Sequence, residues 1–108
     1  MILMNNELNN LFSLEGKVII VTGAAGLLGQ KYAEAIASFG GNPVLLDLSK
    51  EKVETLAFNL NSQYSVKASG FQVDITDEAQ ISANKELLLN KYGKIDGLVN
   101  NAANNPKV

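Results

Sequence analysis

The residues with the types and spacing to do chemistry are concentrated in one stretch, Thr22-Gly23-Ala24-Ala25-Gly26-Leu27-Leu28-Gly29. Three evenly spaced glycines between an apolar run and a helical pattern suit a loop that cradles a pyrophosphate. Gly23 can turn with positive φ, Gly26 lets the backbone approach phosphate oxygens, and Gly29 allows close packing of helix on strand. A helix that starts there presents unpaired N–H groups to an anion. The candidate binding residues of this loop are Gly23, Ala25, Gly26, Leu28 and Gly29. The plainer reading is a strand-to-helix turn that holds nothing.

Asp47 is the second candidate. It ends the next apolar run, where a carboxylate can accept both hydroxyls of an adenosine ribose. A 2′-phosphate at that place would meet like charge, and the sequence has no arginine to receive it. The cofactor expected is therefore NAD, favoured over NADP, although Lys50 could partly rescue the phosphate. Asp47 could also cap the following helix, and the two roles are compatible.

Composition narrows the remaining chemistry. The 108 residues include no cysteine and no histidine. That excludes a disulfide framework, a thiol nucleophile, a zinc site of the usual ligands and a Ser-His-Asp enzyme. A net charge of −2 without arginine argues against a nucleic-acid partner. No run approaches the ~20 apolar residues of a membrane span. Met1-Ile2-Leu3-Met4 is too short for a signal-peptide core, so a cytoplasmic protein is expected.

The elements that must position these residues follow from periodicity. Residues 1–13 read as a leader, Asn-rich from Asn5 to Asn10, in which Leu8, Leu11 and Phe12 could pack on the domain or on a partner chain. Residues 14–108 read as one incomplete domain. Strands are predicted over 17–22, 43–47, 70–74 and 95–100 from short β-branched runs ended by turn residues. Helices are predicted between them: 28–39 with Leu28, Tyr32, Ala35, Ile36 and Phe39 as its buried stripe; one capped by Ser49 with Val53, Leu56, Ala57 and Leu60; and one opened by Thr76 or Asp77 with Ile81, Leu87, Leu88 and Tyr92. The alternation β-α-β-α-β-α-β predicts an α/β fold, a Rossmann-type doubly wound parallel sheet truncated after its fourth strand.

Taken together, the glycine loop, Asp47, Asp74-Ile75 and Asn100-Asn101-Ala102-Ala103 resemble the short-chain dehydrogenase/reductase family, over the N-terminal, cofactor-binding half of its domain. The Gly-x-x-Gly-x-x-Gly spacing resembles the family's extended class, whereas the Asn-Asn-Ala motif resembles its short-subunit class, with Ala103 in place of a glycine. The resemblance implies that Asp74 and Ile75 contact adenine, the carboxylate taking the exocyclic amine and the Ile75 N–H a ring nitrogen. It implies that Asn101 lies against the cofactor ribose beside Ala102, and that Asn100 steadies the sheet. Asp74 could instead merely cap a helix. The activity implied is hydride transfer between nicotinamide and an alcohol or carbonyl of a small molecule, with a sugar-related substrate hinted at by the Gly-Leu-Leu-Gly turn. A homo-oligomer is implied as well.

The family's proton-transferring pair, Tyr-x-x-x-Lys, is missing. Four residues after Tyr32, Tyr64 and Tyr92 stand Ile36, Ala68 and Asp96. No catalytic residue is therefore assigned, and a non-catalytic dinucleotide-binding module or an inactive truncation product stand as alternatives. Right-handed crossovers would place the first two helices on one face and the third on the other, leaving that face thinly covered and the fourth strand with a free edge.

Overall fold

The computed structural model describes residues 11–102. The stretch from Met1 to Asn10, and Ala103 with the tail to Val108, lie outside the described residues. Strands β1 (Val18–Thr22), β2 (Asn42–Asp47), β3 (Ser69–Gln72) and β4 (Gly97–Val99) alternate with helices α1 (Leu27–Ser38), α2 (Lys50–Tyr64) and α3 (Glu78–Tyr92). The four strands form one parallel sheet in the order β3-β2-β1-β4. Its order places β1 and β4 side by side, at the point where the winding reverses. The sequence-derived α/β Rossmann-type fold is the one observed. Among the described residues, β4 pairs only with β1.

Two apolar layers hold the sheet. On one face Val21 and Leu45 meet Ala33, Ile36 and Ala37 of α1 and Val53, Ala57 and Leu60 of α2. On the other, Val18, Val44, Leu46 and Val73 meet Leu88 of α3. The second layer is thinner, and Leu98 of β4 is 61% exposed. Among the described residues, no helix is long and apolar enough to cross a membrane.

Element ends follow local chemistry. Gly40 takes φ +90, its N–H donates to the Ala37 carbonyl at 3.0 Å, and the Gly41 N–H donates to the Ile36 carbonyl at 2.9 Å. This is the glycine-dependent stop that left-handed backbone permits at a helix C-terminus. Ser49 caps α2, its hydroxyl accepting from the Lys52 N–H. Asp77 caps α3, accepting from the N–H groups of Ala79 and Gln80, so Thr76 is not the cap. Asp47 and Asp74, each read as a possible cap, cap neither helix.

The helical stripes need correction. In α1 the buried residues are Gly29, Ala33, Ile36 and Ala37, while Leu28, Tyr32 and Phe39 are exposed and so is Ala35. The period was right and the phase wrong: the buried face carries Gly29, where a Cβ would press on the backbone of Gly23 and Ala24, and the small Ala33 and Ala37 beside Ile36. In α3 Asn84 and Leu88 are buried, whereas Ile81 and Leu87 remain exposed. The predicted strands 70–74 and 95–100 shorten to Ser69–Gln72 and Gly97–Val99. Val73-Asp74 and Asn100 continue as loops at the strand ends. Leu11 and Phe12 are exposed, and the Leu14 N–H donates to the Phe39 carbonyl at 2.8 Å.

Asp96 pins the start of β4 to β1. Its Oδ2 accepts from the Val18 N–H at 2.8 Å and lies 3.1 Å from Lys94 Nζ. The Val18 N–H, with Lys94 second, holds this carboxyl below its ordinary value of 3.8. A depressed folded-state pKa stabilises above the unfolded value and stops stabilising as pH falls through the folded one. The stability advantage of the protein over its Asp96→Ala variant is therefore expected to be full at neutral pH and to shrink as pH falls below 3.8. Urea melts of both proteins across that range measure it. A gap that stays constant into acid would remove the charge from the account.

Candidate functional site

The carboxyl ends of β1, β2 and β3 surround a pocket of about 230 Å³ lined by Gly23, Asp47, Leu48, Asp74, Ile75 and Ala102, among others. Five of the sequence-derived site residues thus meet in one place. Ala25, Gly26, Leu28 and Gly29 lie along the neighbouring loop and helix start rather than in the pocket wall, and Asn101 lies just after β4, its side chain on the Gly23 carbonyl.

The glycine loop owes its shape to two different needs. Gly23 has φ +63, and a Cβ there would lie 3.0 Å from Ala102 Cα. Gly29 faces backbone, since a Cβ would come within 2.2 Å of the Gly23 carbonyl oxygen and 2.8 Å of Ala24 Cα. Gly26 is different. It has φ −76, and its added Cβ would meet only the Gly23 oxygen, at 3.5 Å. Nothing among the described residues requires a glycine at this N-cap of α1.

An N-cap side chain normally lies over the N–H groups of the second and third helical residues. Gly26 has none, so the N–H groups of Leu28 and Gly29 are not covered by a cap. Nor does the first turn of α1 carry an acidic residue, whereas α2 has Glu51 and α3 has Glu78. No side chain of the first turn of α1 therefore offsets the positive end of its dipole; the Asp47 carboxylate lies just before that turn, on the Ala25 N–H, and the uncapped N–H groups within it suit an anion. These residues fit a dinucleotide pyrophosphate.

Asp47 is held before any ligand arrives. Its Oδ2 accepts from the Ala25 N–H at 2.9 Å and its Oδ1 from the Leu48 N–H at 2.6 Å. A carboxylate has about four lone-pair sites, so capacity for two hydroxyl donors remains. The Ala25 N–H is spent on this contact and is not available to a phosphate. Lys50 lines a separate groove with Glu54 and Gln72 and is not part of the Asp47 pocket.

At the third strand end, Asp74 Oδ1 accepts from both the hydroxyl and the N–H of Thr76, at 2.6 and 2.9 Å. The Thr76 hydroxyl first, then its N–H, lowers the Asp74 pKa. The group is thus an acceptor at neutral pH. Its backbone N–H donates to Gln80 Oε1 at 2.9 Å.

The asparagine motif closes the crevice from β4. Asn101 Nδ2 donates to the Gly23 carbonyl at 3.2 Å, the Thr22 hydroxyl lies 3.2 Å from Asn100 Oδ1, and the Ala102 N–H donates to Thr22 Oγ1 at 3.0 Å. Thr22 thereby links the end of β1 to the end of β4. Sequence reasoning passed over it, although a hydroxyl residue directly before the loop was the available signal. It also missed Leu48 and Thr76 as pocket residues. The Asp-x-Thr spacing, which favours a local side-chain turn, was the clue to Thr76.

The tyrosines lie elsewhere. Tyr92 donates to the Lys67 carbonyl at 2.6 Å beside Ser69, at the opposite end of the sheet. Burial raises its pKa, the reverse of what a proton donor working near neutral pH needs.

With this geometry in view, residues 17–108 match the family model described as short chain dehydrogenase. D-threitol dehydrogenase of Mycolicibacterium smegmatis is 38% identical over 91 residues, 84% of this chain and 35% of that protein. Among solved structures, an NAD+-bound xylitol dehydrogenase aligns with a TM-score of 0.77 at 34% identity, covering 82% of this chain and 34% of its own. L-sorbose reductase from Gluconobacter frateurii, complexed with NADPH and L-sorbose, aligns with a TM-score of 0.83 at 27% identity, covering 90% of this chain and 37% of its own. The chain spans about a third of the length of the curated relatives it matches.

Proposed function

The chain belongs to the short-chain dehydrogenase family, and from that premise we propose that it is the NAD-binding portion of an oxidoreductase acting on a polyol or sugar. The observation that carries this reading is the meeting of Gly23, Asp47, Asp74, Ile75 and Ala102 around one pocket beside the uncapped start of α1. In use, the bound nicotinamide supplies or receives hydride at an alcohol or carbonyl carbon. The chain's own residues bind and orient. The N–H groups after Gly26 take the pyrophosphate, and Asp47 takes the adenosine ribose. Asp74 and the Ile75 N–H take the adenine edge, while Asn101 holds Gly23 in place for them.

The preference for NAD over NADP rests on Asp47, whose charge would repel a 2′-phosphate. It is supported by the absence of arginine from the sequence and by a pocket lining that does not include Lys50. The relatives themselves use both cofactors, one structure carrying NAD+ and another NADPH. The substrate class is supported by the names of relatives that act on threitol, xylitol and sorbose. A homo-oligomer working in the cytoplasm, where the dinucleotide pool is held, completes the proposal.

Incubating the natural full-length protein with NAD and threitol, xylitol or mannitol tests the activity. NADH formation with at least one polyol is expected. NAD binding without turnover of any polyol, or of any sugar in the reverse direction, would contradict the substrate class and leave the binding reading standing.

A further inference from the structure

The adenine side of the pocket is shaped by a residue outside it. Asp77 caps α3, and Gln80 is the third residue of that helix. In the usual reciprocal cap, a glutamine at this position returns to the backbone N–H of the cap residue. Here the Asp77 N–H is already taken by the Asp74 carbonyl at 3.0 Å. Gln80 instead donates from Nε2 to Asp77 Oδ2 at 3.0 Å and accepts at Oε1 from the Asp74 N–H at 2.9 Å. The capping machinery of α3 thus reaches past its own cap to the residue that faces the pocket.

Thr76 completes the hold. Its hydroxyl and N–H both engage Asp74 Oδ1, and no protein donor among the described residues engages Oδ2. The Asp74 backbone is fixed by Gln80 and one side-chain oxygen by Thr76. The second oxygen is left as an acceptor at the pocket edge.

We propose that Thr76 and Gln80 are positioning residues that aim Asp74 at a donor on the bound base, so that the site selects adenine, with its exocyclic amine, over a base carrying a carbonyl there. This rests on the proposed reading of Asp74 as an adenine contact. A hypoxanthine dinucleotide offers an oxygen in place of the amine, and an acceptor facing an acceptor is repelled.

Calorimetric titration of the natural full-length protein with NAD, with nicotinamide hypoxanthine dinucleotide and with NADP tests the proposal. Thr76→Val should lower the NAD-to-hypoxanthine affinity ratio about five- to tenfold, a fraction of what a charge-assisted hydrogen bond contributes. Thr76→Ser should restore it, and Gln80→Met should lower it in the same direction. The NAD-to-NADP ratio, set at Asp47, should stay unchanged in all three, which separates aim from general loss of structure. If Asp74→Asn collapses the base ratio while Thr76→Val and Gln80→Met leave it intact, the positioning role is overturned and the adenine reading stands. If Asp74→Asn also leaves the ratio intact, both fail. A parallel fall in the NADP comparison would mean that the substitutions merely loosen the site, which also overturns the proposal.

Discussion

Replacing Gly26 with valine is expected to weaken NAD binding at least about 100-fold, or ~2.8 kcal/mol, while leaving the fold in place. The backbone of Gly26 is extended, with φ −76 and ψ 168, a conformation open to valine. Its Cβ would meet no atom of the described residues closer than 3.5 Å. The cost to the protein alone is that of a poorer helix cap, about 1 kcal/mol. The cost to the ligand is large, because a branched side chain at an N-cap covers the N–H groups that the pyrophosphate must reach. Gly29→Ala provides the contrast. Its methyl group would press on the backbone of Gly23 and Ala24, so stability should fall by roughly 1–3 kcal/mol or more, as overpacking does. Titration with NAD and thermal melts of both variants separate the two glycines. Retained NAD affinity in Gly26→Val would mean that the helix start cradles nothing.

Asp47 governs the second large effect. Asp47→Ala removes the proposed acceptor for the ribose hydroxyls and should weaken NAD binding roughly 10- to 100-fold, the range of hydrogen bonds to a charged group. It should also narrow the advantage of NAD over NADP, because the charge that repels a 2′-phosphate is gone. The variant frees the Ala25 N–H as well, since Asp47 Oδ2 is its acceptor. Asp47→Asn removes the charge but keeps one acceptor oxygen, so it retains only one of the contacts to the Ala25 and Leu48 N–H groups. It should shift the NAD-to-NADP ratio in the same direction with a smaller loss of NAD affinity. An unchanged ratio in both variants would remove Asp47 from the choice of cofactor.

Much of this was legible in the sequence, for physical reasons that can be named. Strands β1 and β2 are buried on both faces, so Val18–Val21 and Val44–Leu46 read as unbroken apolar runs. Gly23, Asp47 and Asp74 stand at strand ends, where topology alone brings them to one rim. The α1 phase was misread because Gly29, Ala33 and Ala37 carry little hydrophobic signal. Their value is their small size, which only the distance between helix and sheet reveals. In α3 the thin layer beneath the helix leaves Ile81 and Leu87 exposed, and no periodicity announces that. The work of Thr76 and Gln80 was hidden for another reason. Both are exposed polar residues whose importance lies in which backbone groups they hold.

The central claim is that the crevice bounded by the glycine loop, Asp47 and Asp74 holds the adenosine half of NAD. A crystal structure of the natural full-length protein with NAD tests it most directly. The account predicts the pyrophosphate against the N–H groups that follow Gly26, both ribose hydroxyls on the Asp47 carboxylate, and the adenine amine on Asp74. Adenosine bound elsewhere, or a ribose turned away from Asp47, would contradict it.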